Sequence, residues 1–301
     1  MSQLLLSIYE TLEEYCTKPR ARPKNSNRRD TFSVPEEPFA RAVAVILGWR
    51  GEPHRGEAAC IGKAAQPPLP ALWSSPEEPI FIDGAGAAVT TRLCKRFGDD
   101  FCAGATGQKV EQSLQLLNEH AALNAEGLAR LFECYPKRVT GSLLETCLSP
   151  AGSVRQRGSR LRHFLKFLQE LEQEDGSYGP YGGGPMLPQL QAIPTDTLRD
   201  RLYGIRGIGI ETTGALLLFA FDRPVFVMTG GVYRLLNRHG LVARETCLEE
   251  MDEVLVTGLS PSVDVCTRFY HNTARVISRF CLAGIPNCRD CPLGVFLDHA
   301  P

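Results

Sequence analysis

The stretch from Leu198 to Gly240, LRDRLYGIRGIGIETTGALLLFAFDRPVFVMTGGVYRLLNRHG, constrains the fold more than any other part of the chain. At its centre Ile205-Arg206-Gly207-Ile208-Gly209 reads as a short glycine turn between two helical patterns. Leu198, Leu202 and Tyr203 recur at helical spacing before it, following Pro194-Thr195-Asp196, a helix-start signal. Thr212, Ala215, Leu216 and Phe219 recur after it, up to the break at Asp222-Arg223-Pro224. Two helices joined by Gly-x-Gly turn backbone N–H groups outward at the start of the second helix. Those amides have no helical partner and the helix dipole is positive there, so the arrangement suits a phosphate. A lone Gly-x-Gly also fits an ordinary helix cap followed by a tight turn.

The chain has 301 residues and 43% apolar content, enough for one large or two modest domains with their own cores. Its net charge of −1 argues against gripping nucleic acid by bulk electrostatics. Local basic runs matter more: Lys18, Arg20, Arg22, Lys24, Arg28 and Arg29 form one, and Arg155, Arg157, Arg160, Arg162 and Lys166 another. Either serves as a solvated face, and the first is broken by prolines. On the same side as the glycine turn, the second run would help hold backbone phosphates. Eleven cysteines follow no disulfide-like framework. The opening, Met1 to Cys16, reads as an acidic amphipathic helix rather than a signal peptide, and no apolar run reaches membrane-spanning length. The expected compartment is reducing and cytoplasmic, nucleoid-associated in a bacterial cell.

In chain order, residues 2–16 read as a helix and 18–37 as a Pro- and Arg-rich connection. Pro38 opens a second helix through Phe39, Ala42, Val43, Val45, Ile46 and Leu47. About 55 residues rich in Gly, Ala and Pro then precede Ala105. Within them Pro79 to Asp83 looks strand-like and Ala88 to Phe97 helical. Helical periodicity returns over Val110 to Leu131, Leu143 to Cys147 and Leu161 to Leu171. Gly176 to Gly184 is a linker by composition. After the glycine-turn segment, further helices fall near 247–258 and 263–280. The sum is an all-α chain with no internal repeat.

Three segments, LYGIRGIGIETTGALLLFAF, RPVFVMTGGVYRLLNRHGL and CLAGIPNCRDCPL, together resemble the helix-hairpin-helix (HhH-GPD) DNA glycosylase superfamily, in its endonuclease III-like branch. They cover roughly the last hundred residues in the family's order, with a weaker likeness reaching back through VEQSLQLLNEH and SVRQRGSRLRHFLKFL. The resemblance implies a two-lobed all-α fold with a C-terminal cysteine-rich loop of iron–sulfur type. Expected domains are 1–50, N-terminal helices packing partly with the C-terminal lobe; 51–104, an insertion of unknown role; 105–221, a six-helix bundle carrying the hairpin; and 222–301, the C-terminal lobe. DNA would lie between the lobes, with Glu211 and Thr229 lining the base pocket.

An enzyme that cuts an N-glycosidic bond must first take the base out of the stack. The hairpin, with Ile205, Gly207, Gly209 and Thr212 as its DNA-binding residues, would clamp the backbone without reading sequence. The resemblance places a catalytic Asp where this chain has Thr229, and a hydroxyl supplies no negative charge at neutral pH. It places the Schiff-base Lys of bifunctional glycosylase/lyases where this chain has Glu211, so strand cleavage through an imine is not expected. A Glu there resembles the branch that removes alkylated bases such as 3-methyladenine. Glu211 either stands in for the missing Asp or simply complements the helix dipole. The wedge that fills the vacated base position is interrupted: Gly104 stands near the family's Gln, Gln108 falls on the next helix, and Trp49 is either a stacking platform or a core cap.

Cys281, Cys288 and Cys291 keep the family's C-x6-C-x2-C spacing, but its fourth Cys is Leu297 here. The resemblance implies a 4Fe-4S cluster, for which four thiolates are usual. Three cysteines also fit a cluster with a non-Cys ligand such as His299, a zinc ion, or small apolar packing. His271 reads as a packed core residue, His163 and His239 as surface or interface residues. The expected activity is monofunctional excision of damaged, in particular alkylated, bases from double-stranded DNA by a monomer not bound to a membrane. The alternative is a DNA-binding relative that has lost catalysis, and a helical interaction scaffold is a third reading.

Overall fold

The computed structural model describes residues 2–17, 38–48, 105–134, 142–174 and 190–299. The expected insertion 51–104, the first basic run, the linker 176–184 and both Trp49 and Gly104 lie outside them, as do the side chains of Gln108 and His299. Among the described residues the structure is helical and holds no β-strand. None of its helices is long and apolar enough to cross a membrane. The described residues divide into two compact units, one holding 2–17 and 224–299, the other 38–48, 105–134, 142–174 and 190–223.

The second unit is organised around α2 (Pro38–Gly48). Phe39, Ala40, Ala42, Val43, Ala44, Ile46 and Leu47 are all buried, and a helix apolar on every side belongs inside a bundle. Against it pack α3 (Ala105–Glu119) and α6 (Val154–Glu174), and α4 (Ala125–Cys134) and α5 (Leu143–Leu148) pack on α6. Phe164 of α6 lies 6.4 Å from Phe39 and 6.3 Å from Phe167, joining two helices in one aromatic cluster. Ser142 caps α5 by accepting from Glu145 N–H at 3.2 Å. Next come α7 (Thr195–Tyr203) and α8 (Ile210–Ala215), and α8 runs straight into a π-helical turn, Leu216–Ala220. All five residues of that turn are buried, packing against α2.

The first unit joins chain segments far apart in sequence. In α1 (Ser2–Thr17), Leu5, Ile8 and Leu12 are buried against α10 (Leu248–Leu259) and α11 (Val263–Arg279). Arg275 Nη1 donates to Cys16 O at 3.0 Å, and Arg268 pairs with Glu13 at 3.0 Å. Between them in sequence α9 (Gly230–Arg238) packs on α11. The approach needs a glycine: a Cβ on Gly231 would stand 2.9 Å from Ile277 Cγ2. The N-terminal helices therefore part company. α1 goes with the C-terminal helices, whereas α2 joins the bundle. The reason is patterning, since α2 has no polar face to leave in water while α1 has one.

Candidate nucleic-acid interface and cysteine pocket

The turn between α7 and α8 occupies residues 204–209. Ile208 N–H closes it by donating to Ile205 O at 3.0 Å, and Gly207 has φ +84°, a left-handed conformation that costs other residues about 1–2 kcal/mol. Beneath Gly207 lies Arg160 of α6, whose Cγ would be 3.2 Å from an added Cβ. One arginine of the second basic run thus lies against the turn.

Gly209 differs from Gly207. Its φ of −90° is open to any residue, and an added Cβ would meet nothing within 4 Å. Neither backbone strain nor internal packing requires a glycine there. Among the described residues the N–H groups of Gly207 and Gly209 donate no hydrogen bond. Amides and open space together make a place where an anion can approach the chain closely.

The other expected contacts sort differently. Arg206 is exposed at the tip, but the Ile205 side chain is buried and can contribute only backbone. Thr212 is 0% exposed, so its hydroxyl does not reach a ligand outside the turn; it faces the bundle interior because α8 turns that side towards α2. Glu211 is half-buried in the first turn of α8. Within the basic run, Arg157 is buried, Arg162 lies over the Phe132 ring at 5.0 Å, and Lys166 pairs with Glu170 at 3.2 Å. Three members of the run thus have structural tasks, Arg160 lies against the turn and Arg155 is exposed.

Sequence reasoning took Arg223 only as part of a break. Its Nη2 donates to Leu190 O, Gln191 O and Ile193 O at 2.9, 3.0 and 2.9 Å, and its Nη1 to Thr195 Oγ1 at 3.3 Å. Its own N–H donates to Leu217 O at 2.8 Å. One side chain therefore ties the entry to α7 to the exit from the π-helical turn. Beside it Asp222 accepts from Arg41 of α2 at 2.8 Å. The only sequence hint was a charged pair before Pro224.

In the other unit Thr229 is the N-cap of α9, its Oγ1 accepting from Val232 N–H at 3.0 Å. This is the ordinary task of a threonine before a helix. His271 on α11 is half-buried with both ring nitrogens shielded from solvent, and that desolvation, with the nearby Arg275 charge, pushes its pKa down to about 3. His239 is buried rather than superficial. Its Nδ1 lies 2.8 Å from Leu235 O and its Nε2 3.3 Å from Leu293 O, so the ring bridges α9 to the tail.

Cys281, Cys288, Cys291 and Leu297 line one small pocket of about 10 Å³, with Arg238 and His239 also on its wall. Arg234 Nε donates to Cys281 O at 3.0 Å; Arg238 Nη1 donates to Leu282 O at 2.8 Å and lies 3.3 Å from Cys281 Sγ. Asn287 N–H donates to Phe280 O at 2.8 Å and closes the loop between the first two cysteines. A Cβ on Gly294 would stand 2.3 Å from Cys288 O, so only glycine lets the tail fold back here. Burial pushes the Cys291 thiol up and the neighbouring Cys281 and Cys288 add to this, while hydrogen bonds from Leu293 and Gly294 N–H oppose it. Among the described residues no group of three or more His, Cys, Asp or Glu is arranged to hold a single metal ion.

No known protein-family description matches the chain. A curated relative from Methanocaldococcus jannaschii, described as "Putative DNA repair glycosylase", is 26% identical over 155 residues, 51% of this chain. That match spans 64% of the relative's own length. Among solved structures, a thermostable thymine-DNA glycosylase superposes with a TM-score of 0.51 at 13% identity, covering 99% of this chain and 97% of that one. The chain thus has the fold of a DNA glycosylase structure and, over half its length, sequence similarity to a relative assigned to DNA repair.

Proposed function

We propose that this protein is a DNA N-glycosylase of the helix-hairpin-helix type that removes damaged bases, alkylated ones in particular, without cleaving the strand. The carrying observation is Gly209, a glycine that neither its backbone angles nor its neighbours require, next to two undonated amides. A phosphate seated on the turn accounts for it, because a side chain at that point would hold the oxygen away from the amides. Contact of this kind is independent of sequence, as a search for lesions demands. Arg160, lying against the same turn, adds a positive charge close to the backbone.

Base release leaves positive charge on the sugar, and a carboxylate is the group that stabilises it. Thr229 has none, so the reading assigns that task to Glu211, in the first turn of α8. Glutamate forms no imine with the opened sugar, which makes the enzyme monofunctional. A cationic alkylated base leaves readily and needs the least acid assistance, which favours that lesion class. In the other unit the cysteine pocket is read as an iron–sulfur site that pins the tail to the end of α9 and supplies a one-electron centre when loaded.

The test is base release from duplexes carrying a lesion panel, including methylated adenine and a T·G mismatch, by the full chain and by Glu211→Gln. Alkali-labile abasic sites from the parent, with a loss of about tenfold or more in Glu211→Gln, are expected. Equal release by both removes Glu211 from the mechanism. Binding without release across the panel favours the second reading, a DNA-binding relative that has lost catalysis, for which the engagement of Thr229 as a helix cap speaks.

A further inference from the structure

We infer that Arg223 is a positioning residue for the glycine turn: by fastening the open ends of the α7–turn–α8 hairpin it fixes where the Gly207 and Gly209 amides stand. The inference rests on the proposed seating of a phosphate on those amides and adds the residue that holds them ready for it. The turn joins α7 to α8 at one end of the hairpin, and the two helices pack on each other. At the opposite end the chain enters through 190–195 and leaves through the π-helical turn, and there Arg223 bridges the two. A hairpin fastened at both ends has far less freedom to open than one joined only by its turn.

The bonds are of a kind that fixes a position. The chain is helical over 190–192, and the last carbonyl oxygens of a helix lack helical partners and carry the negative end of its dipole. Arg223 Nη2 meets those of Leu190, Gln191 and Ile193 at 2.9, 3.0 and 2.9 Å, and Nη1 meets Thr195 Oγ1, in the first turn of α7, at 3.3 Å. A planar guanidinium, with its fixed fork of N–H groups, suits several acceptors at once, and an ammonium does not. The base of the side chain is equally fixed. Arg223 N–H donates to Leu217 O at 2.8 Å. Asp222, at φ +53°, turns the chain back, and its carboxylate accepts from Arg41 of α2 at 2.8 Å. Arg223 is thus anchored to the bundle through its backbone and to the start of α7 through its tip.

The length of α7 makes that anchorage matter at the turn. Its 9 residues span about 13 Å. A swing of about 10° over that length moves one end by about 2 Å, whereas hydrogen-bond distances vary by only about half an ångström. Fixing the angle between α7 and α8 therefore decides whether the amides meet a phosphate without rearrangement. A site prepared in this way binds without the cost of ordering itself. Arg223 acts from a distance: its guanidinium is engaged by the four acceptors of 190–195 and is not offered to the nucleic acid as a charge.

The experiment is duplex-DNA affinity across a salt series for the full chain, Arg223→Ala, Gly209→Ala and the double variant, each checked for folding by its urea transition. Arg223→Ala should weaken binding about tenfold in the parent chain and less than about twofold when Gly209→Ala is already present, because both changes spoil one contact. Its salt dependence should keep the parent's slope, whereas loss of an arginine that itself touches phosphate makes the slope shallower by about one. Arg223→Lys, which keeps the charge but not the fork, should lose most of the affinity that Arg223→Ala loses. Unchanged affinity in Arg223→Ala, an equal loss in both backgrounds, a shallower salt slope, or full affinity in Arg223→Lys would overturn the inference and leave the phosphate reading standing. Unchanged affinity in Gly209→Ala alone would overturn the phosphate reading, and the inference with it. If Arg223→Ala does not fold, Arg223→Lys alone and combined with Gly209→Ala carries the same comparison.

Discussion

Replacing Thr229 separates its structural task from any chemical one. Its hydroxyl accepts from Val232 N–H at 3.0 Å at the start of α9. Thr229→Ala removes that acceptor, and losing an N-cap of this kind costs about 1 kcal/mol, with a range of roughly 0.5–2. Thr229→Asp keeps the acceptor, since Asp caps at least as well as Thr, and adds a negative charge at the positive end of the helix, worth about 0.3–1 kcal/mol. The order of stability is therefore Asp, then Thr, then Ala, with about 1–2 kcal/mol between the extremes. Urea denaturation reads it, and single-turnover base release reads the chemistry. If position 229 faces the sugar, Thr229→Asp restores the carboxylate and raises release by about tenfold or more, which is about 1.4 kcal/mol of transition-state stabilisation. Equal stability of the Ala and Asp variants would refute the cap. Higher stability in Thr229→Asp with unchanged release would refute the placing of this residue at the reacting sugar.

Two further outcomes follow from packing and burial. Gly231→Ala places a Cβ 2.9 Å from Ile277 Cγ2 and should destabilise the first unit by about 1–3 kcal/mol in thermal or urea unfolding; an unchanged midpoint would show that α9 and α11 are not in close approach. His271, with its pKa pushed down from 6.5 to about 3, binds a proton more readily when unfolded. Its contribution to stability is complete above about pH 6.5 and is lost progressively as pH falls from there towards 3. A pH series of urea midpoints should show that acid limb, and His271→Leu should flatten it.

Much of this architecture was legible because its helices are strongly periodic. Leu5, Ile8 and Leu12, or Leu198 and Leu202, recur at a spacing with no other economical explanation, and these residues are buried. Other features depend on partners distant in sequence. Nothing local distinguishes Thr212, turned to the bundle interior, from a threonine turned outward. His239 is buried because Leu293, 54 positions later, returns to meet its ring. The clamp of Arg223 on residues 190–195 needs the chain to come back upon itself through α7 and α8. The two glycines of the turn look alike as letters, and only the structure shows that one is held by conformation and the other left open.

That contrast supplies the most direct measurement: the affinity of Gly209→Ala for duplex DNA, taken as a function of salt beside the parent chain. The substitution fits the backbone and open space, but Gly209 is the N-cap of α8, where alanine is the poorer residue, so folding stability should fall by about 1 kcal/mol or less. If phosphate sits on the turn, displacing it from charge-assisted hydrogen bonds worth about 1.5–3 kcal/mol should weaken binding about 10- to 100-fold. A fully folded Gly209→Ala protein that binds duplex DNA as tightly as the parent chain at every salt concentration would contradict the account.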